Sequence, residues 1–90
     1  MISELYQTIL ERKNTLPEGS YTTSLFKQGE DEILKKVGEE AVEVILAAKA
    51  QGNGRLIEEV ADLTYHTLVL LASRGLTPDD IAAELEKRKK

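Results

Sequence analysis

The chain has no cysteine and no tryptophan, one phenylalanine, three tyrosines and two prolines. Each shortage removes a class of explanation. Without cysteine there are no disulfides, no thiolate metal sites and no cysteine nucleophile, which agrees with a cytoplasmic protein. With so few aromatics the core must be aliphatic, drawn from the Leu, Ile, Val and Ala that dominate an apolar fraction of 41%. No apolar run approaches membrane-spanning length, so no membrane partner is expected. The N-terminal "MISELYQTILERK" is amphipathic and carries Glu4 and Glu11, which is not the pattern of a signal peptide. Nor is there a surplus of positive charge. A net charge of −4 argues against general nucleic-acid binding, which needs a basic surface. The short basic tail "EKRKK" reads as a solvated helix end.

What is present is helical periodicity. Residues from about Ile2 to Lys13 predict a first helix, with Ile2, Leu5, Tyr6, Ile9 and Leu10 at helical spacing. "NTLPEGS" (Asn14 to Ser20) reads as a loop. Ser20, Thr22 and Thr23 are candidate caps for a short helix through "LFKQ" that ends at Gly29. A long helix is expected over about Glu30 to Gln51, opened by three acids. "GNG" (Gly52 to Gly54) should stop it, and a further long helix should run from about Arg55 to Arg74. Thr77, Pro78 and two acids then restart a last helix bearing Ile81, Ala82 and Leu85. The expectation is one all-α domain over residues 1–90, an antiparallel bundle of four to five helices built on a tight hairpin of the two long ones. A core this small is marginal, so support from a metal or a partner subunit is expected.

The two long helices carry acids beside their apolar faces. At about 100° per residue, Ile33, Val37, Ala41, Val44, Ile45 and Ala48 share one face of the first. Glu40 falls at the edge of that face, Lys36 and Glu43 just beyond it, and Glu39 further round. Val42 and Leu46 form a smaller apolar patch opposite. On the second helix, apolar residues cover more than half the circumference, leaving Glu59, Asp62 and His66 on a narrow polar strip. A helix so apolar needs cover on several sides, which predicts an oligomer, most simply a two-fold homodimer with Leu63, Leu70, Val42 and Leu46 as interface candidates.

Glu pairs three apart are common on solvated helices, but two such pairs on adjacent antiparallel helices would repel one another unless a cation joined them. Oxygen-only donors select magnesium or manganese over zinc. A di-iron bundle would need Glu-x-x-His pairs, and His66 completes none because position 63 is Leu. His66 reads as a structural or outer partner of Asp62, one turn earlier.

The order Glu39-Glu40-x-x-Glu43, a helix-breaking spacer, then Glu59-x-x-Asp62 resembles the signature of the all-α, MazG-type nucleoside triphosphate pyrophosphohydrolases. Within that superfamily, "GSYTTSLFKQGEDEILKKVGEEAVEVILAA" and "EEVADLTYHTLVLLASRGL" closely resemble the phosphoribosyl-ATP pyrophosphohydrolase family. The resemblance spans nearly the whole chain, without a second enzymatic domain, which suggests the free-standing form of the enzyme. It implies hydrolysis of phosphoribosyl-ATP to phosphoribosyl-AMP and pyrophosphate, the second step of histidine biosynthesis. It also implies magnesium (or manganese) held by Glu40, Glu43, Glu59 and Asp62, with Glu39 as a further ligand or as the base that orients water. Lys36 is the first choice for a phosphate contact, with Arg12 a weaker one. Ser20, Tyr21 and Thr22 offer hydroxyls and amides at a helix start, where a plain cap is the competing reading. Two other functions fit less of the sequence. A house-cleaning nucleotide pyrophosphatase would keep the acids but lack "SYTTSL". A non-catalytic dimerisation module would use the acids only for solubility.

Overall fold

Four breaks divide the described residues into five helices: α1 (Ile2–Thr15), α2 (Tyr21–Gln28), α3 (Glu30–Ala50), α4 (Gly52–Ser73) and α5 (Pro78–Arg88). The computed structural model describes residues 1–89, which contain no strand. Lys90, the end of the basic tail, lies outside the described residues. The all-α expectation holds. No helix among the described residues is long and apolar enough to cross a membrane.

Each boundary has a local cause. Pro17 disfavours continued helix at the residue before it, and α1 ends with Leu16 in the left-handed region at φ 47°. Ser20 caps α2 by accepting the Thr23 amide at 3.2 Å. At the start of α5, Thr77 and Asp80 exchange hydrogen bonds, the Thr77 amide donating to Asp80 Oδ2 at 2.8 Å and the Asp80 amide to Thr77 Oγ1 at 3.2 Å. With Pro78 beside it, this is the restart that the sequence predicts.

The break between the long helices is shorter than expected. Only Gln51 separates α3 from α4, and "GNG" forms the first turn of α4 instead of a loop. Gly52 makes the reversal with φ +86°, a conformation open to glycine at little cost. α3 and α4 form the principal packing pair, while α1 and α2 cover one end of it. The core cluster sits at that end: Tyr6 and Ile9 of α1, Leu25 of α2, Ile33 of α3, and Leu68, Val69, Leu71 and Ala72 of α4.

The wheel for α3 needs one correction. Ile45 and Ala48 are exposed, and Ala47 is fully buried in their place. The buried and half-buried positions Ile33, Val37, Glu40, Val44 and Ala47 recur in alternating steps of four and three. Such a stripe drifts around a 3.6-residue helix, so a fixed angular face misassigns its far end. Glu40 therefore lies within the seam.

Two of the three residues of the polar strip of α4 also face inward, while Asp62 is exposed. Glu59 and His66, two turns apart, are each only 6% exposed. The apolar outer side is uncovered instead, with Ile57 70% and Val60 43% exposed. Leu70 packs on the core of its own chain, and Leu63 lines a groove shared with α1 and α5. Val42 and Leu46 are exposed.

Candidate active site

The hairpin sets residues near position 40 of α3 beside residues near positions 59 and 62 of α4. Carboxylate oxygens of Glu40, Glu59 and Asp62 all come within 4.8 Å of one another. They border a cleft of about 520 Å³ lined by Glu39, Glu40, Val42, Glu43, Glu59 and Asp62. All five acids singled out in the sequence thus line one cleft, three of them in close array.

Two unit charges 4.8 Å apart repel by about 3.5 kcal/mol at an effective dielectric constant of about 20. The protein shows the effect at Glu40. Burial first, then a hydrogen bond to Glu59, then repulsion from Asp62 and Glu59, raise its carboxyl above the ordinary range. A raised carboxyl pKa is the response expected where like charges crowd together, because each disfavours ionisation of the next. A second relief comes from Arg55, which the sequence reading passed over. Its guanidinium donates to Glu59 Oε1 at 2.6 Å and also to Glu58. The signal was available, since Arg55 stands three and four residues before those acids.

The set consists of hard oxygen donors, with carboxylate oxygens of three residues gathered within 4.8 Å of one another. That matches magnesium or manganese and offers nothing to a soft metal. Glu40, Glu59 and Asp62 could hold such an ion directly, with Glu43 at the edge of the cleft.

The expected counter-charges are less central. Lys36 pairs with Glu39 at 3.3 Å, an interaction that raises the Lys36 pKa. Neither Lys36 nor Arg12 lines the cleft, and Arg12 lies 4.0 Å from Glu11. Of the residues at the start of α2, Ser20 serves as the cap. Thr22 and Tyr65 share a hydrogen bond between their hydroxyls. Tyr21 reaches His66, its hydroxyl 3.0 Å from Nε2. The Tyr21 pKa is raised, by burial first; Lys36 opposes the shift, and Tyr65, Glu32 and Glu40 add to it. Tyr21 therefore stands in the field of the carboxylate cleft. His66 contacts Asp62 through the backbone carbonyl, with Nδ1 at 2.8 Å, and leaves the Asp62 carboxylate free for the cleft.

Comparison with known proteins points the same way. The family model described as phosphoribosyl-ATP pyrophosphohydrolase matches residues 2–89. The phosphoribosyl-ATP pyrophosphatase of Pelotomaculum thermopropionicum is 57% identical over 89 residues, covering 99% of this chain and 91% of that protein. Those of Saccharolobus islandicus and Saccharolobus solfataricus are each 50% identical over 90 residues, covering all of this chain and 96% of theirs. The carboxylate cleft is thus carried on a chain alike from end to end to these hydrolases, and the protein belongs to the phosphoribosyl-ATP pyrophosphohydrolase family.

Proposed function

We propose that the protein hydrolyses phosphoribosyl-ATP to phosphoribosyl-AMP and pyrophosphate, the second step of histidine biosynthesis, using magnesium held by Glu40, Glu59 and Asp62 with Glu43 beside them. The observation that carries this reading is the convergence of three carboxylates from two helices in one cleft of a chain of this family. Magnesium bound there would supply charge neutralisation at the triphosphate oxygens and activation of water, and manganese suits the same donors.

The chain's own residues have separable tasks. Glu40, partly buried in the seam, and Glu59, buried beneath Arg55, are fixed by packing and present oxygens in one geometry. Asp62 is exposed and faces the incoming phosphates. Glu39 lies outside the close trio and is paired with Lys36, and from the cleft wall it serves as a further ligand or orients the attacking water. Lys36 and Arg55, each paired with an acid of the cleft, offer positive charge to an incoming polyanion. Ser20, Tyr21 and Thr22 contribute polar groups from the start of α2.

The same reading includes a homodimer. Val42, Ile45 and Leu46 on α3, and Ile57 and Val60 on α4, are between 43% and 70% exposed. They lie on the half of the hairpin nearest the Gln51 turn, away from the core cluster. Each keeps only about half of its surface in water, so covering it would contribute about 1–2 kcal/mol, which together favours pairing of two chains. A cytoplasmic setting, where the nucleotide substrate is made, completes the proposal.

The test is a substrate panel. Magnesium-dependent pyrophosphate release from phosphoribosyl-ATP should exceed release from dUTP or ATP by orders of magnitude. Equal rates on all three would favour a general nucleotide pyrophosphatase.

A further inference from the structure

We propose that His66 is a positioning residue of this enzyme: it accepts the Tyr21 hydroxyl proton at Nε2, and so holds Tyr21 beside the cleft with its oxygen lone pairs turned to a hydroxyl or amino donor of the nucleotide. The inference rests on the reading of the carboxylate cleft as the nucleotide site.

The polarity of the chain follows from its buried end. A backbone carbonyl can only accept, so His66 Nδ1, 2.8 Å from the Asp62 oxygen, carries a proton. In the neutral ring Nε2 is then a lone pair, and the Tyr21 hydroxyl 3.0 Å away must donate to it. The Tyr21 proton is thereby committed inward. What remains on its oxygen is acceptor capacity, which repels phosphate oxygens and suits a ribose hydroxyl or an adenine amino group. Tyr21 is 50% exposed, so the residue is open to solvent although its hydroxyl contact with His66 is part-buried.

The ring is held as firmly as the hydroxyl. His66 is only 6% exposed and meets both tyrosines edge-on, with centroids 5.8 Å from Tyr21 and 5.0 Å from Tyr65. Tyr21 and Tyr65 stack at 6.2 Å. Two of the chain's four aromatic residues are therefore gathered around its single histidine, and Tyr65 also packs against the hydrophobic core. A histidine serving only to fill space would need neither hydrogen bond. This one links the turn that bears Asp62 to the first residue of α2.

Asparagine and glutamine separate the two ends of the ring. An asparagine amide overlays Nδ1 and can keep the Asp62 contact, whereas glutamine extends to the Nε2 position and can accept from Tyr21. Tyr21→Phe removes only the hydroxyl, and the Thr22–Tyr65 pair still ties α2 to α4. We expect Y21F and H66N each to raise the KM for phosphoribosyl-ATP by roughly tenfold, the scale of one hydrogen bond, with kcat changed by less than about twofold. The double variant should be no worse than either single one, and H66Q should bring KM back to within about twofold of wild type.

Because His66 is the only histidine, its imidazole nitrogens can also be followed by NMR without any turnover. At pH 8 the wild-type ring should show a protonated Nδ1 and a hydrogen-bonded Nε2 lone pair, and Y21F should move the Nε2 signal alone. Additive KM effects of Y21F and H66N, an H66Q variant as impaired as H66N, or an unmoved Nε2 signal in Y21F would each overturn the proposal. Retained turnover in Glu40→Gln would instead fault the metal reading, leaving the tyrosine–histidine result to stand on its own.

Discussion

Replacing Glu40 by glutamine should make the metal-free protein more stable. The reason lies in the three carboxylates gathered within 4.8 Å. Glu40 is held above its ordinary pKa, by burial first, then by its bond to Glu59, then by repulsion from Asp62 and Glu59. The unfolded chain feels none of these. Between the unfolded and folded pKa values the folded state therefore binds more protons, and stability falls as pH rises through that window. Above it the full cost is present, and below the unfolded value it is absent. A single pair at this spacing repels by about 3.5 kcal/mol at a dielectric constant of about 20, but the cleft is open and Glu40 only partly buried. Screening and bridging by Arg55 leave on the order of 1 kcal/mol. Glutamine keeps a donor for Glu59 and removes the charge. For a domain of this size the gain corresponds to about 4–8 °C in Tm. Thermal unfolding by circular dichroism in EDTA, at fixed protein concentration, should show Glu40→Gln above wild type at pH 8 and equal to it near pH 4. With magnesium at a hundredfold excess over its Kd, wild type gains about 2.7 kcal/mol and the order should reverse. A variant less stable than wild type in EDTA at pH 8, or a gain that persists at pH 4, would refute the reasoning.

Other outcomes follow from the same geometry. Glu59→Gln should lose most of the magnesium-induced rise in Tm while keeping its helical circular dichroism; an undiminished rise would remove Glu59 from the ligand set. Lys36→Ala should raise KM with little change in kcat, since a phosphate contact made in ground and transition states alike acts on binding; a kcat loss without a KM change would place Lys36 in the chemistry. Ile57→Glu combined with Leu46→Glu should convert a dimer to a monomer in sedimentation, and a wild-type monomer at micromolar concentration would end the dimer proposal. Gly52→Ala should cost about 1–2 kcal/mol in urea denaturation, because the reversal needs φ +86°; an unchanged midpoint would show that the turn can relax.

The elements of the fold were legible because their signals are local. Pro17, Gly29, Gly75 and the Thr77–Asp80 exchange act within a few residues, and the periodicity of α3 and α4 is long enough to read. The five cleft acids were legible for a related reason. Helical spacing and a tight hairpin together leave little freedom in where Glu40 and Glu59 meet. What escaped was the sense of each face. On α4 the wheel marks Glu59, Asp62 and His66 as a minority strip, and composition alone would turn it to solvent. Glu59 and His66 are buried instead, Glu59 bonded by Arg55 one turn earlier on α4 and His66 by Tyr21 of α2, while Asp62, Ile57 and Val60 are left outside. Arg55 was missed because a helical arginine looks like any solvated charge until its partner is known to be buried. The Tyr21–His66 contact joins residues 45 apart in sequence, and no periodicity encodes it.

The most direct test of the account is magnesium-dependent pyrophosphate release from phosphoribosyl-ATP by Glu40→Gln and Asp62→Asn, beside wild type and a surface control, Glu86→Gln. Each amide keeps the shape of its side chain and removes a charge from the cleft, so kcat should fall by at least about a hundredfold in both while the control matches wild type. Turnover within a few-fold of wild type in both amide variants would contradict the account and leave the acids as a solvated face of a helical hairpin.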